Sequence, residues 1–404
     1  MHLTHLSLTN YRAFTRLDLQ VPRGILVLVG DNAQGKTTLL EAIYFLATFT
    51  SFHAQFDRQL VNFTAATDPL AVTRIVAEFT RAADHHRLEV RLIQENGVNG
   101  TTRFRKEILL DGVKKTVQEA LGKFTAVIFL PQMTRILEGG PDERRRFLNL
   151  ALSQANPPYA LALSEYAQII TQRNALLKLL NERGGDADQL GYWDDLLAQR
   201  AALLISSRIT AISELERIAA RIHSRLTHGA EVLRWYYQPG FDPLPQPAGQ
   251  MRLSLQTPLL RDGFSPEQIR KGFTQRLQNL HAEEIARGLT TVGPHRDELR
   301  LLSNGVDLSD YGSRGQVRTA LLAMKLAEAE WLQQKTGEVP VLLLDETLAE
   351  LDLQRRADLL PSLRENEQTF LTTTDLSLFA AEFLGQTEIW QVAAGRAQKK
   401  VTSE

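Results

Sequence analysis

The stretch Leu28-Val-Gly-Asp-Asn-Ala-Gln-Gly-Lys-Thr-Thr38 decides the fold. It fits the pattern G-x-x-x-x-G-K-[ST], in which a glycine-bounded loop joins a buried strand to a helix. The context agrees, because the apolar run Ile25–Val29 precedes the loop and the apolar-rich run Leu39–Leu46 follows it. Backbone N–H groups and the positive end of the helix dipole then point at one place. The stretch predicts a phosphate-binding loop.

The residue types in this loop indicate separate roles in nucleotide binding. Lys36 reaches the outer phosphates, where its charge also makes it a catalytic candidate, and the Thr37 hydroxyl is a candidate Mg²⁺ ligand. The candidate nucleotide-binding residues of the loop are Gly30, Asp31, Asn32, Ala33, Gln34, Gly35, Lys36, Thr37 and Thr38.

A second motif lies roughly 300 residues further along the chain. The apolar run Val341–Leu344 ends in the two carboxylates Asp345 and Glu346. In a phosphate-loop ATPase the first acid holds Mg²⁺ through its water shell, and the second orients or deprotonates the attacking water. The wide separation predicts that a whole lobe is inserted between two halves of one ATPase head.

A third motif precedes the acids. The segment Asp310–Arg318 contains a Ser/Gly/Gln turn that opens a helix over Thr319–Gln334, and Ser313 is a plausible cap. A turn of this kind is a second anion site. In ATP-binding-cassette heads the corresponding element contacts the γ-phosphate bound by the other subunit. The candidate residues of this signature element are Ser313, Arg314, Gly315 and Gln316.

Composition limits the class of protein. The 404 residues are 43% apolar, which is ordinary for a globular protein with a sizeable core. The absence of cysteine excludes disulfides and thiolate chemistry and fits a reducing compartment. The N-terminus alternates like a strand, and no apolar run approaches the ~20 residues of a membrane span. We therefore expect a cytoplasmic protein whose contacts with DNA, at a net charge of −1, are local.

The chain pattern predicts an α/β fold, in which a P-loop ATPase head that resembles heads of ABC/SMC type has a mixed sheet and an inserted helical lobe. The predicted head comprises residues 1–130 and 289–404, and the mainly helical lobe comprises residues 131–288. Within the lobe, apolar positions recur about every 3.5 residues over Leu190–Leu226, which predicts packing against a helix over Tyr159–Leu180. The first third of the chain predicts a mixed sheet with β-hairpins.

These motifs together resemble the RecF family of bacterial recombination and repair ATPases, which are related to the cohesin and condensin heads. The resemblance runs in order over nearly the whole chain. It is carried by Asn10–Arg12, Gly30–Ile43, Phe129–Pro131, Pro141–Leu148, Leu152–Gln154, Gln172–Lys178, Thr291–Asp297, Tyr311–Gln316 and Leu344–Asp352.

The resemblance implies an activity and a set of partners. A member of this family dimerises on binding ATP, hydrolyses it slowly, binds duplex DNA and single-strand/duplex junctions, and helps RecO and RecR to load RecA on gapped DNA. By position, Arg12 joins the nucleotide site, and Asp345 with Thr37 serves Mg²⁺. Gln132 falls near a Mg²⁺-sensing loop, and Leu348–Asp352 meets its twin across the dimer.

The sequence departs from the family pattern at three positions. Ala33 replaces a loop glycine, which matters only if that position needs φ > 0. Gln132 stands where an acid is expected. Glu346 follows Asp345 where a pair of aspartates is common, so its longer side chain is expected to alter the hydrolysis rate.

Candidate DNA contacts rest on exposed cations, because Lys and Arg supply most phosphate affinity. They are Arg103, Arg105, Lys106, Lys114 and Lys115. The triplet Arg144–Arg146 cannot form one patch, since consecutive helical residues point ~100° apart, and we interpret it as solvated or ion-paired. We interpret His295 as a structural, hydrogen-bonded histidine rather than a catalytic one.

Three other functions are left open by the sequence. A transporter ATPase subunit needs a membrane partner and a coupling surface. A nucleotide or metabolite kinase is disfavoured by the wide separation of the two ATPase motifs. A non-hydrolysing ATP-gated interaction protein is disfavoured by Glu346, and phosphate release decides that case.

Overall fold

A computed structural model describes residues 1–65, 71–96, 102–244, 261, 263–351 and 353–400. The chain folds as two compact units, one of residues 1–133 and 328–404 and the other of residues 134–327. The predicted lobe ends at residue 288, whereas the second unit extends to residue 327. The reason is that the strand Glu298–Ser303 pairs with Leu233–Gln238 and so groups the following residues with the lobe.

The strands follow one another along the whole chain. They are β1 (His2–Tyr11), β2 (Phe14–Gln20), β3 (Gly24–Val29), β4 (Val72–Arg81), β5 (Asp84–Asn96), β6 (Thr102–Leu110), β7 (Val113–Lys115), β8 (Ala126–Phe129), β9 (Leu233–Gln238), β10 (Glu298–Ser303), β11 (Val306–Asp307), β12 (Val341–Leu344), β13 (Gln368–Thr373), β14 (Glu388–Ala393) and β15 (Arg396–Lys399).

The helices are concentrated in the middle of the chain. They are α1 (Lys36–Thr48), α2 (Val117–Ala120), α3 (Arg135–Glu138), α4 (Pro141–Ala155), α5 (Pro157–Arg183), α6 (Leu190–Leu226), α7 (Pro266–Arg287), α8 (Leu308–Tyr311), α9 (Arg314–Thr336), α10 (Leu353–Arg364) and α11 (Ala381–Leu384). Within the described ranges, no helix has the length and hydropathy of a membrane span.

The core of the first unit is a six-stranded sheet with the order β15-β14-β3-β13-β12-β8. Its strands are parallel except for the edge strand β15, which pairs antiparallel with β14. All four residues of β8 and of β12 are buried, as expected for strands covered on both faces. Because parallel strands end at the same edge, β3, β8 and β12 deliver their following loops to one place.

A second sheet of the same unit is antiparallel throughout, with the order β2-β1-β4-β5-β6-β7. The mixed sheet predicted for the first third is therefore wrong, because the sheet is not mixed and does not contain every strand of that third. The strands β1 and β2 belong to this sheet, whereas β3 crosses to the parallel one. Alternation indicates a strand, but sheet membership depends on long-range pairing that the local pattern does not encode.

The second unit is mainly helical. Helix α6 packs against α5, as the apolar repeat predicts, and also against α7. Asn156 caps α5 by accepting from the backbone N–H of Tyr159, and prolines occupy its first two positions. Ser265 and Gln268 form a reciprocal capping box at the start of α7. The antiparallel sheet β11-β10-β9 completes this unit.

Candidate nucleotide-binding site

The loop between β3 and α1 has two glycines that close contacts require. A Cβ atom on Gly30 would lie 2.2 Å from the carbonyl oxygen of Val392, and one on Gly35 would lie 2.9 Å from the ring of Phe14. Gly35 also has φ of 109°, in the left-handed region. Val392 and Phe14 thus pack so closely against the loop that neither glycine position has room for a side chain.

Ala33 replaces a loop glycine at a position that does have a positive φ. Its φ is 62°, a conformation that costs a non-glycine residue roughly 1–2 kcal/mol. The loop therefore keeps the shape of a glycine loop at the expense of local strain.

Lys36 is buried, with 4% of its surface exposed. Its ammonium donates to the carbonyl oxygens of Gly30, at 2.6 Å, and Asp31, at 3.0 Å. A carboxylate oxygen of Glu346 lies 3.5 Å away. A buried cation inside a glycine cradle fits a nucleotide triphosphate, because its charge faces the loop where phosphate oxygens would lie.

The two ATPase motifs meet directly. The Thr37 hydroxyl lies 2.9 Å from each carboxylate oxygen of Asp345, and the Thr372 hydroxyl donates to the same carboxylate at 2.7 Å. Burial raises the pKa of Asp345, and the hydrogen bonds from Thr372 and Thr37 act against this rise. Hard oxygen ligands of this kind suit Mg²⁺.

A dedicated metal cage is not part of this arrangement. Among the residues that the structure describes, no group of three or more His, Cys, Asp or Glu side chains is placed to hold a metal ion. This fits Mg²⁺, which is usually held by one or two carboxylates together with substrate phosphates. Thr37 and Asp345 are the residues that would hold it.

Glu346 lies at the end of β12 in a left-handed conformation, with φ of 47°. Its backbone N–H donates to the Thr372 hydroxyl at 2.9 Å, and its side chain is 38% exposed. Gln132 follows β8 in a 3-10 turn and is exposed at the same sheet edge. The structure thus brings Glu346 to the phosphate loop, whereas the place of Gln132 near the Mg²⁺ site stays a prediction.

The contacts of the phosphate loop with β14 and the following turn were missed by sequence reasoning. The side-chain oxygen of Gln34 accepts the backbone N–H of Ala394, at 2.7 Å, in the turn between β14 and β15. The carbonyl of Val392 in β14 packs closely against Gly30, as described above. The short alternating run Glu388–Ala393 was the signal for β14, but it does not reveal that this strand pairs with β3.

Arg12 lies in the β1–β2 turn with φ of 51°. Its guanidinium binds the carboxylate of Glu41 on α1 through two nitrogens, at 2.9 and 2.7 Å. Its role in nucleotide binding remains a prediction, while its place beside the phosphate-loop helix is a feature of the structure.

The signature element belongs to the second unit. Ser313 and Gln316 cap α9 reciprocally: the Gln316 N–H donates to the Ser313 hydroxyl at 3.3 Å, and the Ser313 N–H donates to the Gln316 side chain at 3.1 Å. The helix begins at Arg314, earlier than the predicted Thr319. Ser313 and Arg314 are exposed and Gly315 is partly buried. Of the predicted dimer loop, Leu348–Leu351 are described, and Asp352 lies outside the described residues.

The candidate DNA residues differ in what they contact. Arg105 pairs with Glu95 and Glu107, each at 3.0 Å, and Lys114 also pairs with Glu107. Lys115 lies 3.7 Å from Glu119.

Lys106 is committed to other contacts. It pairs with Asp57 at 3.1 Å, donates to the carbonyl of Phe49 and lies over the ring of Phe45. Arg103 is exposed and has no ion pair within the described ranges. The same face of the antiparallel sheet also carries Arg74 and Arg91, which share the carboxylate of Glu89 and which sequence reasoning missed.

Two sequence interpretations are confirmed in the second unit. Arg144 is buried and binds both carboxylate oxygens of Glu298, at 2.7 and 2.9 Å, so the arginine triplet is not a patch. His295 is hydrogen-bonded to the Tyr166 hydroxyl, at 2.8 Å, and to the carbonyl of Thr290, at 3.2 Å. Burial lowers the pKa of His295 to about 4.

The glycine-bounded loop follows β3, its lysine is buried, and β12, two strands away in the same sheet, ends in two acids. These features define a P-loop ATPase head of ABC/SMC type. The family described as RecF/RecN/SMC N terminal domain matches residues 2–393. The chain is 38% identical to the DNA replication and repair protein RecF of Roseiflexus castenholzii, over 98% of this chain and 99% of that one. The chain belongs to this family, and within it to the relatives called RecF.

Solved structures agree. The chain is similar to a structure described as that of the recombination mediator protein RecF-ATPrS in the RecFOR pathway, with a TM-score of 0.83, 30% identity and 98% of each chain covered. It is also similar in fold to an Smc head domain bound to the C-terminal domain of ScpA, with a TM-score of 0.51 and 15% identity, covering 99% of this chain and 96% of that one.

Proposed function

We propose that this protein is an ATP-gated DNA-binding ATPase of recombinational gap repair and replication restart. ATP with Mg²⁺ closes two copies into a dimer, the dimer binds duplex DNA and single-strand/duplex junctions, and slow, DNA-dependent hydrolysis releases it. The observation that carries the proposal is the meeting of Lys36, Thr37, Asp345 and Glu346 around one loop.

The residues divide the chemistry between them. The N–H groups of residues 30–37 and the start of α1 bind the triphosphate, and Lys36 exchanges its carbonyl partners for phosphate oxygens. Thr37 and Asp345 would hold Mg²⁺, which would supply charge neutralisation at the phosphates. Glu346, half-exposed and opposite Lys36, orients or deprotonates the attacking water.

Dimerisation is proposed from the signature element. The start of α9, residues 313–316, is capped, and Ser313 and Arg314 are exposed there. The start of a helix is a natural anion site. In the proposed dimer this element binds the γ-phosphate held by the other copy, so ATP joins the two copies. The residues 348–352 meet their twin there.

DNA binding is proposed for the outer face of the antiparallel sheet. Arg103, Arg105 and Lys114 are exposed there, and Arg74 and Arg91 extend the same face. Acidic side chains hold most of these cations, which reduces what each adds to phosphate affinity, so we expect a local contact. Phosphate contacts make its affinity sensitive to salt. We leave Lys106 out of this surface because Asp57 and Phe49 bind it.

The partners follow from the relatives. A relative is described as a recombination mediator in the RecFOR pathway. We propose that this protein acts in the cytoplasm with RecR and RecO mediators to place RecA on gapped DNA.

Fluorescence anisotropy with a gapped duplex tests the proposal. The wild type is expected to bind tightly with ATP and Mg²⁺ and weakly without them, and Lys36→Ala is expected to bind weakly in both cases. Affinity is expected to fall steeply with salt. Equal binding with and without nucleotide, or tight binding by Lys36→Ala, would contradict ATP gating. Membrane co-purification or phosphate transfer to a small acceptor would favour the alternative functions.

A further inference from the structure

A buried carboxylate belongs to the phosphate-loop helix itself. Glu41 is four residues after Thr37 on α1, so the two side chains share a helix face. Its surface is 1% exposed, and its two carboxylate oxygens receive the Arg12 guanidinium at 2.9 and 2.7 Å. Bidentate pairs of this kind fix orientation as well as charge.

A third chain segment meets the same carboxylate. The Ser51 hydroxyl donates to Glu41. The Ser51 oxygen in turn accepts the backbone N–H groups of His53 and Ala54, at 2.9 and 2.6 Å. Glu41 therefore joins the β1–β2 turn, α1 and the turn at residues 51–54.

The β1–β2 turn is held from its other side as well. The Arg12 carbonyl accepts from the Asn62 side chain at 2.6 Å, and the Arg12 N–H donates to the carbonyl of Leu60 at 2.9 Å. Phe14 at the end of this turn packs under Gly35 of the phosphate loop. The Arg12 side chain, itself 26% exposed, is thereby held at a defined place beside the loop.

Stability alone does not account for this arrangement. Burying an ion pair costs desolvation that its attraction roughly offsets, and well-packed apolar groups of similar volume often stabilise a protein more. We propose that Glu41 is a positioning residue of the nucleotide site, which fixes the Arg12 guanidinium and the turn at residues 51–54 against the phosphate-loop helix. The inference rests on the proposed ATP site and adds a residue that does not itself touch the nucleotide.

Calorimetric titration of ATP with Mg²⁺ tests this role in the full-length protein. Glu41→Gln and Arg12→Ala are each expected to weaken ATP binding on the order of tenfold. The double variant is expected to bind ATP no more weakly than whichever single variant has the higher Kd, because Glu41 acts by positioning Arg12. Ser51→Ala is expected to weaken it by about threefold. Thermal unfolding without nucleotide is measured for every variant.

Glu89→Gln is the matched control. Glu89 also receives a bidentate arginine, Arg74, in the same unit, but its ion pairs lie within the strands β4 and β5 of the antiparallel sheet. This control is expected to lower the unfolding temperature and leave the ATP Kd unchanged. Should Glu41→Gln fail to fold, Arg12→Ala and Ser51→Ala decide the question.

The outcomes separate the two claims. If the wild type and Glu41→Gln bind ATP equally well, the positioning role alone is overturned. The same holds if the double variant raises the ATP Kd by the product of the two single effects. If Glu41→Gln does not fold, the positioning role of Glu41 is overturned when Arg12→Ala and Ser51→Ala both bind ATP as tightly as the wild type. A folded wild type that binds no ATP overturns the nucleotide function together with this role.

Discussion

The hydroxyl of Thr37 lies 2.9 Å from both carboxylate oxygens of Asp345, although 308 positions separate the two residues in the chain. The contact joins the start of α1 to the end of β12. It closes the two distant halves of the sequence into one site. Two side chains with oxygen atoms of the kind that Mg²⁺ prefers therefore lie side by side in the protein.

Thr37→Val tests this contact. The variant keeps the shape of the side chain and removes the hydroxyl, so ATP affinity in the presence of Mg²⁺ is expected to fall on the order of tenfold. Affinity measured with EDTA in place of Mg²⁺ is expected to change little, because only the metal ligand is lost. A loss of equal size in both buffers would show that the hydroxyl supports the loop and not the metal.

The strained loop position gives a second prediction. Ala33→Gly is expected to raise the free energy of unfolding by roughly 0.5–1 kcal/mol, because glycine adopts φ of 62° without a Cβ clash. Ala54→Gly, in the same unit and outside the left-handed region, is the control and is expected to lower it. Urea unfolding measures both. A destabilised Ala33→Gly protein would mean that the strain is absent.

The signature element gives a third prediction. Ser313→Arg is expected to leave ATP binding intact and to prevent ATP-dependent dimerisation, since its bulk and charge fill the anion site. Ser265→Arg destroys an equivalent capping box at the start of α7 and so controls for lost helix stability, typically ~1 kcal/mol. Size-exclusion chromatography with ATP compares the two. Dimerisation by Ser313→Arg would refute a role in the other copy's site.

His295 predicts a specific pH dependence of stability. Burial lowers its pKa from 6.5 to about 4, so the unfolded chain binds this proton at a higher pH than the native protein. The free energy of unfolding is therefore expected to fall as the pH drops from 6.5 towards 4, by roughly 2 kcal/mol from this group at about pH 5. Urea titrations of the wild type and His295→Gln check this.

The His295→Gln variant is expected to lose this part of the pH dependence of the free energy of unfolding. Glu89, whose pKa is lowered to about 2 chiefly by hydrogen bonds from Arg74, contributes stability that is lost only below its ordinary value of 4.5. The two groups are thus separated by their pH windows. If the free energy of unfolding depends on pH in the same way for the wild type and His295→Gln between pH 6.5 and 5, His295 is not the source of this pH dependence.

Much of the site could be predicted because its parts carry local signals. The glycine spacing of residues 30–37 encodes the loop, and the acids after Val341–Leu344 encode its partner strand. The capped turn at Ser313 was also visible, because capping depends on residues three positions apart.

The remainder depends on long-range packing. The alternation of Glu388–Ala393 cannot show that β14 pairs with β3 and presses Val392 on Gly30. Lys106 looks like any exposed cation until burial against Phe45 and Asp57 is known. Glu41 lies in an apolar helix, and only the fold reveals that Arg12 and Ser51 meet it.

Light scattering of Glu346→Gln with ATP and Mg²⁺ tests the central claim most directly. The substitution preserves the length of the side chain and removes the carboxylate that we propose orients or deprotonates water, so bound ATP is expected to persist. The account predicts a stable particle of twice the monomer mass with ATP and a monomer without it. A Glu346→Gln protein that binds ATP and stays monomeric would contradict it.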